Sequence, residues 1–141
     1  MKIEEQVLSI EQMKHLQELG VDTSDASMYW IVTDKIEKEE NNSDAYPHYH
    51  LALSVPTMIP VYLTITAIPT YTVGDLIEKL PKSENIGDLF IEFCNSDLGY
   101  GDWDCSELYG INGQQNFKDK PLKDALYNLL CWVAENHKEL L

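Results

Sequence analysis

No arginine occurs in the chain: all ten basic residues are lysines, set against 24 acids for a net charge of −14. Arginine supplies the planar fork that grips phosphate and guanine in two-point contacts. Without it, and under so negative a field, direct binding to nucleic acid or to an anionic membrane is not expected. The charge is spread evenly, with four lysines against eleven acids in residues 1–70 and six against thirteen in residues 71–141. No separate acidic tail exists, and a well-solvated surface is the simplest meaning of the acids.

Cysteine is scarce as well. Cys94, Cys105 and Cys131 form no C-x-x-C pair, which excludes a disulfide framework and a zinc-finger pattern. Cys131 sits in an apolar helical run and reads as a small buried hydrophobe. No stretch has the length of apolar sequence needed to span a bilayer. Met1-Lys2-Ile3-Glu4-Glu5 carries acids where a secretory signal carries an apolar core, so a cytoplasmic location is expected.

What is present suits one ordinary globular domain over residues 1–141, at 44% hydrophobic and 24% charged residues. A chain of this size buries roughly two-thirds of its unfolded surface and needs no metal or disulfide to fold. Ser9-Ile10-Glu11-Gln12 is a capping box that opens a helix over 10–19, with Leu8 and Met13 at the staple positions and Gly20 as its stop. Residues 28–33 are aromatic and β-branched and predict a strand. The charged segment 34–47 predicts a long mobile acidic loop. Strands are predicted over 49–55 and 61–67, separated by Pro56 and Pro60.

Thr72-Val73-Gly74-Asp75 is a second capping box, with Tyr71 able to staple onto Leu76 and Pro81 ending the helix after Leu80. Residues 89–94 predict a strand, residues 98–104 a Gly-rich loop, and residues 107–111 a partner strand. The longest helix is expected over 122–136, with Leu122, Leu126, Leu129 and Val133 as its core face and Tyr127, Leu130 and Cys131 widening it. The fold expected is therefore α+β: an antiparallel or mixed sheet packed with about three helices in a single layer.

Three blocks together resemble a group of small uncharacterised bacterial proteins found with prophages and conjugative elements. They are Ser9 to Gln12 with Leu16-x-x-Leu19-Gly20, Ile68-Pro69-Thr70-Tyr71-Thr72-Val73 leading into Leu76 to Pro81, and Pro121 to Leu126 with Leu130 to Asn136. The resemblance runs from end to end and is dense only in these blocks, whose motifs are structural. It implies an accessory or interaction role in a mobile genetic element, and no catalytic residue.

The best metal candidate is Pro47-His48-Tyr49-His50. On a strand, His48 and His50 share a face about 7 Å apart, which lets two imidazoles converge on Zn or Fe. The further donors in reach would be Asp102, Asp104 or Cys105. The blander alternative is a pair of exposed edge histidines near acids. Asp102-Trp103-Asp104-Cys105 offers two carboxylates and a thiol, but it follows Gly99-Tyr100-Gly101 in what reads as a solvated hairpin loop. Cys94 or Cys105 could meet His15, His48, His50 or His137 only by tertiary folding, and no spacing favours it. Gly110-Ile111-Asn112-Gly113 lacks the order of a phosphate loop and reads as a turn.

Eight tyrosines and three tryptophans are many for a small domain, and both types favour binding hot spots. Most would pack the core and its rim. Tyr29, Tyr49, Tyr100 and Trp103 are the expected interaction surface, on a sheet face or loop edge.

The leading expectation is a non-catalytic, protein-binding accessory module acting through an aromatic patch rimmed by acids, with self-association through the same patch as a variant. One alternative is an acidic DNA mimic that inhibits a DNA-binding protein, although Lys35, Lys38, Lys79, Lys82, Lys118 and Lys120 interrupt the acidic runs. The other is a metal-dependent enzyme built on His48 and His50.

Overall fold

The computed structural model describes the backbone of residues 2–37, 45–81, 89–95, 101–108, 114–119 and 122–141, and the side chains of 2–37, 45–81 and 122–141. Helix α1 is Ile10–Glu18, followed by strands β1 (Met28–Lys35), β2 (His48–Ala52) and β3 (Leu63–Thr70). Helix α2 (Val73–Lys79) leads to β4 (Leu89–Asn95), β5 (Gly101–Leu108) and β6 (Gln114–Asp119), and α3 (Leu122–Asn136) follows. The strands form two antiparallel three-stranded sheets, ordered β2-β1-β3 and β4-β5-β6. The α+β expectation holds.

Both capping boxes close as their sequences dictate. Gln12 N–H donates to Ser9 Oγ at 3.1 Å while Ser9 N–H donates to Gln12 Oε1 at 2.9 Å. At α2, Asp75 N–H donates to Thr72 Oγ1 at 3.1 Å and Thr72 N–H returns to Asp75 Oδ2 at 3.0 Å. Gly20 ends α1 at φ +85°, the left-handed region that only glycine enters without strain. Ser27 also donates its N–H and its hydroxyl to Asp75, which ties the start of β1 to the start of α2.

The core lies among the helices. Leu8, Met13 and Leu16 meet Tyr71, Leu76 and Leu80 and the α3 residues Ala125, Leu126, Leu129, Leu130 and Val133, all fully or almost fully buried. The first sheet is pinned to this core at one end. The Leu8 carbonyl accepts from the Trp30 indole at 2.9 Å and from the Thr70 hydroxyl at 2.7 Å. Lys123 of α3 donates to the neighbouring Val7 carbonyl at 2.9 Å. The second sheet lies against α3 through β5 and β6.

Several boundaries differ from expectation. β1 runs on through Asp34 and Lys35, so the segment expected as a loop begins later, and its residues 38–44 lie outside the described ones. β2 stops at Ala52 and β3 starts at Leu63, because the ten residues between them return the chain to the far end of the sheet. β2 and β3 both run antiparallel to β1 and hence parallel to each other, which requires such a crossover. Residues 101–104, expected in a loop, open β5, the central strand of the second sheet. β6 supplies a strand where none was expected.

Candidate functional site

Cross-strand partners share a sheet face, so the register sorts the side chains of the first sheet. His48 and His50 pair with Thr33 and Ile31 and stand on the face of Tyr29 and Lys35. Tyr49 pairs with Val32 and stands on the opposite face, with Trp30 and Leu51. Tyr29 and Tyr49 therefore do not share a patch. Tyr29 is half-buried between Ala52 and Pro69, whereas Tyr49 is exposed. Trp103 holds a register position in β5 opposite Phe93 and Asp119, and its side chain lies outside the described residues, as does Tyr100 altogether.

The exposed apolar surface lies elsewhere. Leu53, Val55, Met58, Ile59, Val61 and Tyr62 of the crossover are all exposed, Met58 and Val61 by 91% and 92%. Ile36, just past β1, joins them: its N–H donates to the Tyr62 carbonyl at 3.1 Å. Lys35, Ile36, Glu37, Val61 and Tyr62 line an open groove of about 420 Å³. The sequence signal for this surface is a run without charge. From Ala45 to Gly74 there is no Asp, Glu, Lys or Arg, in a chain that is 24% charged as a whole. Leu53, Val55, Val61 and Tyr62 fall within the strands predicted over 49–55 and 61–67, because apolar character ordinarily means burial.

Above the groove stands a short stack. The Lys35 ammonium lies 5.0 Å from the centre of the Tyr46 ring, and Tyr46 stacks on His48 at 4.3 Å and 12°. A cation over a tyrosine face is attracted by the ring quadrupole, and the stack fixes the start of β2 beside the end of β1. It places the Lys35 ammonium at one end of an otherwise acidic protein.

The histidine pair shares a face as its spacing requires. Among the described residues no group of three His, Cys, Asp or Glu is placed to hold a metal ion. Asp102, Asp104 and Cys105 belong to β5 in the other sheet, and their side chains lie outside the described residues.

Among the described residues a cysteine–histidine approach occurs at Cys131, and the side chains of Cys94 and Cys105 lie outside the described ones. His15 Nδ1 of α1 lies 2.6 Å from the Tyr127 hydroxyl and 3.8 Å from Cys131 Sγ, both on α3. Burial pushes the Cys131 thiol up, opposed by its hydrogen bond with Tyr127 and assisted by Glu135. Burial likewise pushes the Tyr127 phenol up, assisted by Cys131. A buried thiol held protonated is a poor nucleophile, so the cluster joins two helices rather than performing chemistry.

No described helix is long and apolar enough to cross a membrane. Comparison with known proteins finds no matching family model, no matching curated protein and no matching solved structure.

Proposed function

We propose that the protein is a non-catalytic binding module, an accessory protein of a bacterial mobile element, that docks a protein partner through the uncharged crossover 53–62. The observation that carries this function is the near-complete exposure of Met58 and Val61 within a charge-free segment. A monomer gains nothing by presenting such side chains to water, and contiguous apolar exposure marks interaction sites. Covering Met58 and Val61 contributes roughly 3–6 kcal/mol of gross binding energy, before the cost of association. Tyr62 and Ile36 add an aromatic and a branched anchor beside the groove, in the manner of interface hot spots.

The acids have a place in this function too. A net charge of −14 keeps the molecule soluble despite the apolar loop and speeds encounter with a basic partner. The Lys35–Tyr46–His48 stack holds the groove end of the sheet in shape, so that Tyr62 and Val61 are presented on a fixed support.

The test is capture of a stoichiometric partner from the native cell by tagged protein, with mass spectrometry on what co-elutes. A partner held by the natural chain and lost with Met58→Asp or Val61→Asp is the expected result. A partner held equally by those variants would overturn the assignment to the crossover, and an empty capture would overturn the function.

A further inference from the structure

We infer that the outer edge of β2 pairs with the same edge of a second copy of this chain, joining the two first sheets into one continuous six-stranded sheet. The inference stands apart from the binding function above, which needs only the crossover.

β2 ends its sheet, and among the described residues no strand pairs with its outer side. An unpaired edge presents a row of N–H and C=O groups, which folds usually guard with lysine, proline or a bulge. The other outer strand, β3, is guarded in this way. Pro69 removes one donor, and Val7 bridges to Thr72 just past its end. β2 has no such protection within its own five residues, Pro47 standing just before them. His48-Tyr49-His50-Leu51-Ala52 carries no proline and no charged Lys or acid, and His48, Tyr49 and His50 are exposed on both faces of the strand.

Charge selects a second copy as the occupant. Two chains of −14 repel each other wherever acids would meet. The run from Ala45 to Gly74 is the stretch where they can touch without setting acid against acid. An antiparallel pair has a two-fold axis, and full overlap of a five-residue strand places that axis at His50. His50 then lies opposite the partner's His50, Tyr49 opposite the partner's Leu51, and His48 opposite the partner's Ala52. The Tyr49–Leu51 pairs, one on each side of the axis, are aromatic–aliphatic contacts of the kind that stabilise sheets. Continuing the same register sets Leu53, 77% exposed, against the partner's Pro47, so the contact is not backbone alone.

The experiment measures the mass of the full chain in solution by sedimentation equilibrium, with chelator present so that a metal on His48 and His50 cannot act as the bridge. The natural chain should approach twice the mass of one chain as concentration rises. His50→Glu and His50→Lys, each placing like charges across the axis, should each run as single chains. Their equimolar mixture should regain the doubled mass, which also shows that both variants are folded. Met58→Asp should keep the doubled mass. A natural chain that stays single at every soluble concentration would overturn the inference, as would His50→Glu that remains double. Doubling abolished by Met58→Asp but not by the His50 variants would move the contact to the crossover and overturn it equally.

Discussion

The Tyr71 hydroxyl donates to Asp25 Oδ1 at 2.6 Å, joining the residue that staples α2 to the loop that leads into β1. The same oxygen lies 2.9 Å from the Asp22 carbonyl, and Lys79 of α2 closes the cluster with its ammonium 3.0 Å from Asp25 Oδ2. Tyr71 is otherwise wholly buried in the core. One phenol thus links helix packing to the placement of the first sheet.

Tyr71→Phe keeps the ring and removes this link. It should destabilise the fold by about 1–3 kcal/mol, read as a lower denaturant midpoint with unchanged slope. A loss below a few tenths would mean that Asp25 is satisfied by Lys79 alone.

The pH dependence follows from the same pair. Burial works against the Asp25 charge, but the Tyr71 and Lys79 hydrogen bonds outweigh it and hold the carboxyl below the usual carboxylate range. A lowered folded pKa gives stability that is present above the unfolded value near 4 and lost as pH falls through the folded value. Tyr71 has the opposite sign: burial, then Asp25, pushes its phenol up, so its contribution is full below about pH 10 and lost as pH rises further. Alkaline titration of tyrosinate absorbance should show Tyr71 and Tyr127 ionising only with unfolding, and Tyr71→Phe should remove one late proton. Early ionisation of both would contradict the burial of these rings.

Cys131 should resist alkylation in the folded protein, because burial keeps its thiol protonated and covered. Peptide mapping after iodoacetamide should find it modified at the rate of global unfolding. Tyr127→Phe, which removes its hydrogen-bonding hydroxyl, should leave that protection largely intact.

The caps give a local check. Thr72→Ala should cost about 1 kcal/mol, and Ser9→Ala a similar amount, since each hydroxyl accepts the N3 amide of its helix. Thermal melts should fall by a few degrees for each.

What the sequence made legible is what is local. Ser9 with Gln12, Thr72 with Asp75, Gly20 and Pro81 mark helix ends by contacts within four residues, and α3 follows from the spacing of Leu122, Leu126, Leu129 and Val133. β6 was not legible because Gln114-Gln115-Asn116-Phe117-Lys118-Asp119 has little strand propensity, and its pairing with β5 supplies what the residues do not. Residues 101–104 were misread because their glycine and aspartates favour turns, whereas β4 and β6 hold them from both sides. The approach of His15 to Cys131 joins opposite ends of the chain, and no short-range pattern encodes it. Of the expected interaction residues, Tyr29 and Tyr49 stand on opposite faces of the first sheet, and Tyr100 and the Trp103 side chain lie outside the described residues. Met58 lies between the two prolines that separate predicted strands, and Val61 and Tyr62 fall within the strand predicted over 61–67, where apolar character ordinarily means burial.

The central claim is that the crossover 53–62 is a docking surface, and amide hydrogen exchange on the captured complex tests it most directly. Residues 53–62 should exchange rapidly in the isolated protein and become protected when the partner is bound, with α1 and α3 unchanged. Protection confined to other elements, with the crossover still exchanging freely in the complex, would contradict it.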